Sequence, residues 1–148
     1  ELRDKLREAK DNYWAGIVDV QRQVAAAWVL HAEGKFDEAL KAMSAAADAE
    51  DQTEKHVVTP GPLAPARELY GYMLLDRGMA KEALAAFGAS KAKEPNRFHG
   101  YAGAAMAAEK LGDKATARDN YQKLVTLAAT ADSERREVAA AKKYLASN

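Results

Sequence analysis

The sequence has no cysteine, which excludes disulfides, thiolate metal sites and a cysteine nucleophile. Proline and glycine are few, 4 and 9 of 148 residues, and so scarce a set of helix breakers favours helices over sheets. No apolar run approaches the roughly 20 residues needed to span a bilayer. Neither sign of charge is in excess: 22 basic and 22 acidic side chains cancel. That balance argues against a broad nucleic-acid or anionic-membrane surface. The chain begins on Glu1 without a methionine or a signal-like stretch, as expected of a fragment or of a mature form. It leaves the compartment open.

What is present is repetition. The segments Gly34-Lys35-Phe36-Asp37-Glu38-Ala39-Leu40, Gly78-Met79-Ala80-Lys81-Glu82-Ala83-Leu84 and Gly112-Asp113-Lys114-Ala115-Thr116-Ala117-Arg118 align. Gly78 and Gly112 stand 34 residues apart and Gly34 and Gly78 stand 44 apart, which puts ten extra residues between the first two units. Apolar residues recur at helical spacing on both sides of each glycine; around Gly78 the run is Leu69, Tyr70, Met73 and Leu74, then Ala83, Leu84 and Phe87, with Lys91 at the next place in the spacing. Each glycine can end a helix in a left-handed turn, and the short link that follows forces two helices antiparallel. Seven residues before the glycines stand Ala27, Gly71 and Ala105, and five after them Ala39, Ala83 and Ala117. Small residues there let two backbones approach. Nine after the glycines come the bulky Met43, Phe87 and Tyr121.

These offsets resemble the tetratricopeptide repeat, a 34-residue helical hairpin with small residues at those positions and a closing proline. The middle unit matches best, with Gly71, Gly78, Ala83, Phe87 and Pro95. The first and third lack the closing proline, and the third has Lys114 where an aromatic is usual. The resemblance covers about residues 20–130. It implies an all-α fold of antiparallel hairpins stacked as a short right-handed superhelix (an α-solenoid), with extra N- and C-terminal helices. The run from Glu54 to Pro62, continuing through Pro65-Ala66-Arg67-Glu68-Leu69, also resembles the C-terminal repeat region of larger bacterial proteins of this superfamily, and brings no known activity with it.

The expected organisation is one domain. An N-terminal helical extension covers 1–19, repeats cover 20–51, 64–97 and 98–131, a proline-containing insertion covers 52–63, and a capping helix covers 132–148. Residues 12–33 read as one helix capped by Asp11 or Asn12, and Asp132 or Ser133 can cap the last helix, with Val138, Ala141, Tyr144 and Leu145 on its apolar side. Pro65 is suited to begin the helix after the insertion. The insertion has two readings: Pro62-Leu63-Ala64-Pro65 as a polyproline ligand, or a rigid connector burying Val57, Val58 and Leu63.

Catalytic patterns are thin. His31, His56 and His99 form no paired-histidine motif, and His31 and Glu33 lie on different helix faces. Ser44, Ser90 and Ser133 have no histidine nearby in sequence, and the glycines fit no phosphate or dinucleotide loop. The carboxylates Glu134 and Glu137 are matched by Arg135, Arg136 and Lys142, a mixed face suited to solvent. The reading is a non-enzymatic chain without cofactor or metal.

By the resemblance, first helices line a concave groove. Its rows would carry Trp28, Tyr72 and Met106; His31, Leu75 and Glu109; Val24, Glu68 and Ala102; and Gln21, Pro65 and His99. The expected partner-binding residues are Val24, Trp28, His31, Glu68, Tyr72, Leu75, His99, Met106 and Glu109. Members that grip the acidic C-terminus of chaperones carry basic residues and asparagine on these rows; Val24, Trp28, Glu68 and Tyr72 stand here instead, which argues against that activity. The expected function is a scaffold or adaptor holding a protein or peptide in an apolar groove, with no nucleic acid and no membrane insertion. The alternative is a structural segment that stacks within a larger parent chain or forms a homo-oligomer.

Overall fold

The computed structural model describes residues 1–54, 61–133 and 135–147. Among them are eight helices and no strand: α1 Leu2–Glu8, α2 Asn12–Ala32, α3 Phe36–Asp51, α4 Ala66–Asp76, α5 Ala80–Lys93, α6 Phe98–Leu111, α7 Lys114–Leu127 and α8 Arg136–Ser147. The chain divides into two compact units, Glu1–Tyr70 and Gly71–Asn148, with the boundary inside α4.

The three repeat glycines do what their positions imply. Gly34, Gly78 and Gly112 all have φ between +73° and +78°, a conformation in which a Cβ would be strained. Beyond each, the next amide reaches back across the turn: Lys35 N–H to Leu30 C=O at 2.9 Å, Met79 to Leu74 at 2.9 Å and Asp113 to Ala108 at 3.0 Å. This closure satisfies the last carbonyls of α2, α4 and α6. The following helix then starts within two residues of the glycine. Side chains secure two of the helix starts: the Trp14 amide donates to Asp11 at 3.2 Å, and the Thr116 amide donates to Asp113 at 3.0 Å.

In the first unit α2 pairs with α3, and α1 lies on α2. Ala27, Ala39 and Met43 are fully buried, while Val20, Ala47 and Ala66 form a cluster flanked by Val24 and Tyr70. Charged groups hold the entry of α4 onto the end of α3. The carboxylate of Glu50 accepts the Ala66 amide at 2.6 Å, and Arg67 grips Asp51 through Nε (2.9 Å) and Nη2 (2.7 Å) while also bonding Asp48. Burial works against the Arg67 charge, and the bonds to Asp48 and Asp51 outweigh it, so its pKa lies above the ordinary value. Pro65 immediately precedes α4 and its carbonyl accepts the Leu69 amide at 3.1 Å.

In the second unit the central helix α6 packs on both α5 and α7. It manages this with almost no side-chain bulk: Gly100, Ala102, Gly103, Ala104, Ala105, Ala107 and Ala108 are all buried. The ring of Phe87, fully buried, fills the space left by two glycines. A Cβ at Gly103 would stand 2.2 Å from the ring and one at Gly71 2.7 Å from it. Ala102, Ala105, Ala108, Ala117, Tyr121, Leu124 and Ala141 form a further cluster, against which Tyr144 and Leu145 of α8 rest. The last helix therefore covers the outer side of α7.

Two local expectations need correction. Neither Asp132 nor Ser133 caps α8: it starts at Arg136, and the Arg135 carbonyl accepts the Val138 and Ala139 amides. Leu63 is 96% exposed rather than buried; its neighbours Pro65 and Ala66 take the buried positions where α4 begins. Val57, Val58, Pro60, His56 and Glu134 lie outside the described residues.

Candidate partner-binding site

The groove residues separate into those left at the surface and those drawn inward. In the first unit Trp28 and His31 are half-buried and meet edge to face at 5.4 Å between ring centres; His31 then meets Phe36, at the start of α3, at 5.2 Å. Val24 leans on the Val20, Ala47 and Ala66 cluster. Glu68, expected on the groove, is instead only 2% exposed. It stands in the first turn of α4, where the helix dipole favours a carboxylate.

In the second unit Leu75 is also buried, at 7% exposed, in line with Met73 and Leu74 beside it on α4. Tyr72 is half-buried and oriented from both sides. Its hydroxyl donates to the His99 carbonyl at 3.0 Å, and its ring meets Phe87 edge to face at 5.0 Å and His99 at 6.1 Å. Met106 is 38% exposed, a large apolar side chain amid the buried alanines of α6; Leu111, at the end of the same helix, is 46% exposed. Glu109 is exposed but directed toward its hairpin partner, because Tyr121 of α7 donates to it at 2.7 Å. Burial, then Glu109, push the Tyr121 phenol well above its ordinary pKa, so the hydroxyl stays a donor.

A separate cleft of about 450 Å³ opens where α6 begins, α7 ends and α8 approaches. Asn96, Arg97, Phe98, His99, Ser133 and Arg135 contribute to its lining. Arg135 lies over the Phe98 ring at 5.0 Å, and Arg97 pairs with Glu94 at 3.2 Å. The fold thus brings His99 and Ser133 to one cleft although 34 residues separate them in sequence. Among the described residues that line it there is no carboxylate. Among the described residues, no three histidine, aspartate or glutamate side chains gather as a metal site. No helix among them is long and apolar enough to cross a membrane.

Sequence reasoning missed Gly103, the second wall of the Phe87 socket. Its signal was a glycine in a helix interior, a position costing about 1 kcal/mol relative to alanine unless close packing requires it.

No protein-family model matches the chain, and no curated protein does. Solved structures do. PcrH from Pseudomonas aeruginosa superimposes with a TM-score of 0.68 at 19% identity, over 87% of this chain and 90% of PcrH. PcrH in complex with the chaperone binding region of PopB gives 0.67 at 20% identity, over 86% and 94% of the two chains. The segment of MamA from residue 41 onward, from Desulfovibrio magneticus RS-1, gives 0.58 at 18% identity, over 84% of this chain and 64% of that one. The chain has the all-α helical-repeat fold of the tetratricopeptide type.

Proposed function

We propose that this chain is a non-enzymatic interaction module that holds a peptide or a short helix of a protein partner on the first-helix side of its hairpins. The fold likeness to PcrH, whose structure includes a complex with a region of PopB, supports the reading. So does the presence of Met106 at the surface of α6, where Leu111 is also exposed and the alanines from Ala102 to Ala108 are buried. Within the second unit the contact would centre on Met106 and Tyr72, with His99 and Glu109 at its polar margin. Within the first unit it would use Trp28, His31 and Val24. Glu68 and Leu75, being buried, support the surface rather than form it. Apolar anchors flanked by polar groups suit recognition of a peptide by a few of its side chains.

Selection of peptides from a displayed random library tests this. A peptide so obtained should lose about tenfold or more in affinity to Met106→Ala, an apolar anchor contributing on the order of 1–2 kcal/mol. A control on the opposite side of the hairpin, Gln122→Ala on α7, should bind as the parent does. Equal binding by parent and Met106→Ala would overturn the assignment of the face.

A second reading, self-association or stacking through the N-terminal end, is favoured by one observation. Helix α1 buries none of its residues, and Leu2 and Trp14 are 60% and 40% exposed. A solution mass showing a dimer in the parent chain and a monomer in Trp14→Ser would support it.

A further inference from the structure

One lysine in the second unit is set apart by its surroundings. Lys91 lies in the last turn of α5, and its side chain is half-buried. Its amine donates to the side-chain oxygen of Asn120 on α7 and lies over the Tyr101 ring of α6, 4.9 Å from the ring centre. Asn120 is itself buried, 4% exposed, and held in place by its own amide donating to the Thr116 carbonyl at 2.8 Å. A second amine, that of Lys123 on α7, stands 6.0 Å from the same ring. Lys123 has a carboxylate partner in Asp119, at 2.9 Å. Among the described residues no carboxylate pairs with Lys91.

An ammonium so placed is poorly stabilised. The Asn120 oxygen and the Tyr101 face both favour the charge, but neither carries a full negative charge. Burial, followed by the repulsion of Lys123, favours the uncharged amine, and Asp119 opposes this only in part; the net direction is a pKa below the ordinary lysine value. An uncharged lysine amine is a nucleophile, and desolvation beside a second cation is a recognised means of producing one. Lys91 also keeps part of its surface in solvent.

We propose that Lys91 is a preferred acylation site, taking its acyl group from an acyl phosphate. The nitrogen lone pair attacks the acyl carbon and a C–N bond forms. The C–O bond to phosphate breaks, phosphate leaves with the bonding pair, and the nitrogen releases a proton to solvent. The amide product has no charge to be repelled by Lys123, and it retains one N–H to donate to Asn120. The Lys123–Asp119 pair is then electrically balanced. The site therefore tolerates the product better than it tolerates the ammonium.

The test uses the full chain with acetyl phosphate near neutral pH, and reads initial acetylation rates at each lysine by peptide mass spectrometry. Exposed Lys81 and Lys110 serve as internal references. Lys91 should acquire the acetyl group several-fold faster than either in the folded chain, and the advantage should vanish in denaturing urea. Asn120→Asp would supply the missing carboxylate and should slow Lys91 to the reference rate or below. Lys123→Met should also slow it, by removing the like charge and releasing Asp119. Each folded variant is read on its own, so a failure of one to fold leaves the other decisive. A Lys91 rate no higher than the references, an advantage that persists in urea, or an undiminished rate in a folded variant would overturn the proposal.

Discussion

The two compact units hold their helices by different means. In the second, shape does most of the work: two glycines open a socket, Phe87 fills it, and alanines let α6 lie close to both neighbours. In the first, directional charge is prominent where α3 meets α4, with Glu50 on the Ala66 amide and Arg67 on Asp48 and Asp51. The difference follows from the repeat spacing. Where consecutive units follow at 34 residues, a short turn already fixes the register and close packing completes it. Where ten residues intervene, Glu50, Asp48 and Asp51 on one side meet the Ala66 amide and Arg67 on the other, and these contacts join α4 to α3.

The sharpest way to break the comparison is to empty the socket. Phe87→Ala should cost about 3–5 kcal/mol, the range for deleting a fully buried aromatic, and should raise hydrogen exchange in α5 and α6. Gly103→Ala alone should cost about 1–3 kcal/mol, because the new Cβ meets the ring and the core is already full. With Phe87→Ala already in place, the same glycine change should become neutral or stabilising, since alanine is the better helix former by about 1 kcal/mol. Additive effects in this double-mutant cycle, read by chemical denaturation, would mean that the fit of ring to glycine is not what holds the unit.

Much of this arrangement was legible because it recurs. The turn glycines, the small residues at fixed offsets and the bulky Met43, Phe87 and Tyr121 are all local to one hairpin, and their burial matches their spacing. What escaped belongs to a single unit. Gly103 has no counterpart glycine in the other repeats, with Ala25 and Leu69 at that offset, so the repeat pattern gave no prompt. Lys91 closed an apolar run and was read as part of its periodicity; its relation to Asn120 and Tyr101 depends on three helices meeting. For the candidate groove the offsets alone could not separate surface from interior. Trp28, Tyr72 and Met106 share an offset, yet Tyr72 is tied to the His99 backbone and Met106 stands open. Burial of Glu68 and Leu75 likewise depends on tertiary neighbours that a one-dimensional pattern does not contain.

A second, smaller test addresses the first unit. Arg67→Met keeps the apolar stem and removes the grip on Asp48 and Asp51. It should cost about 1 kcal/mol at low salt, the upper range for a partly exposed ion pair. The cost should shrink as salt rises toward ~1 M, where the screening length falls to about 3 Å. The Phe87→Ala penalty should not shrink with it. A salt series on both variants, followed by thermal melting, therefore separates charge from shape. Equal salt responses would remove the contrast drawn between the units.

The smallest expected effect lies at Asp19, which ties α1 to α2. Its carboxylate accepts from Arg22 at 2.9 Å, from Arg3 of α1 at 3.1 Å and from Gln23 at 3.1 Å. These bonds, that of Arg22 foremost, hold it below the usual carboxylate pKa against the opposing effect of burial. Because the folded value is depressed, the folded state binds fewer protons than the unfolded one as pH approaches the carboxylate range. The stabilisation is therefore fully present above the unfolded pKa of about 3.9, and is lost as pH falls from there through the lower folded value. Docking of α1 should be constant from neutrality to about pH 5 and weaken below about pH 4, an effect under about 1 kcal/mol for so exposed a cluster. Asp19→Asn should reproduce the acid state at neutral pH and flatten the profile, read as exchange at the α1 amides. Since α1 buries no residue, few other contacts can mask the loss. A profile in Asp19→Asn as steep as in the parent would show that α1 is held by something other than this carboxylate.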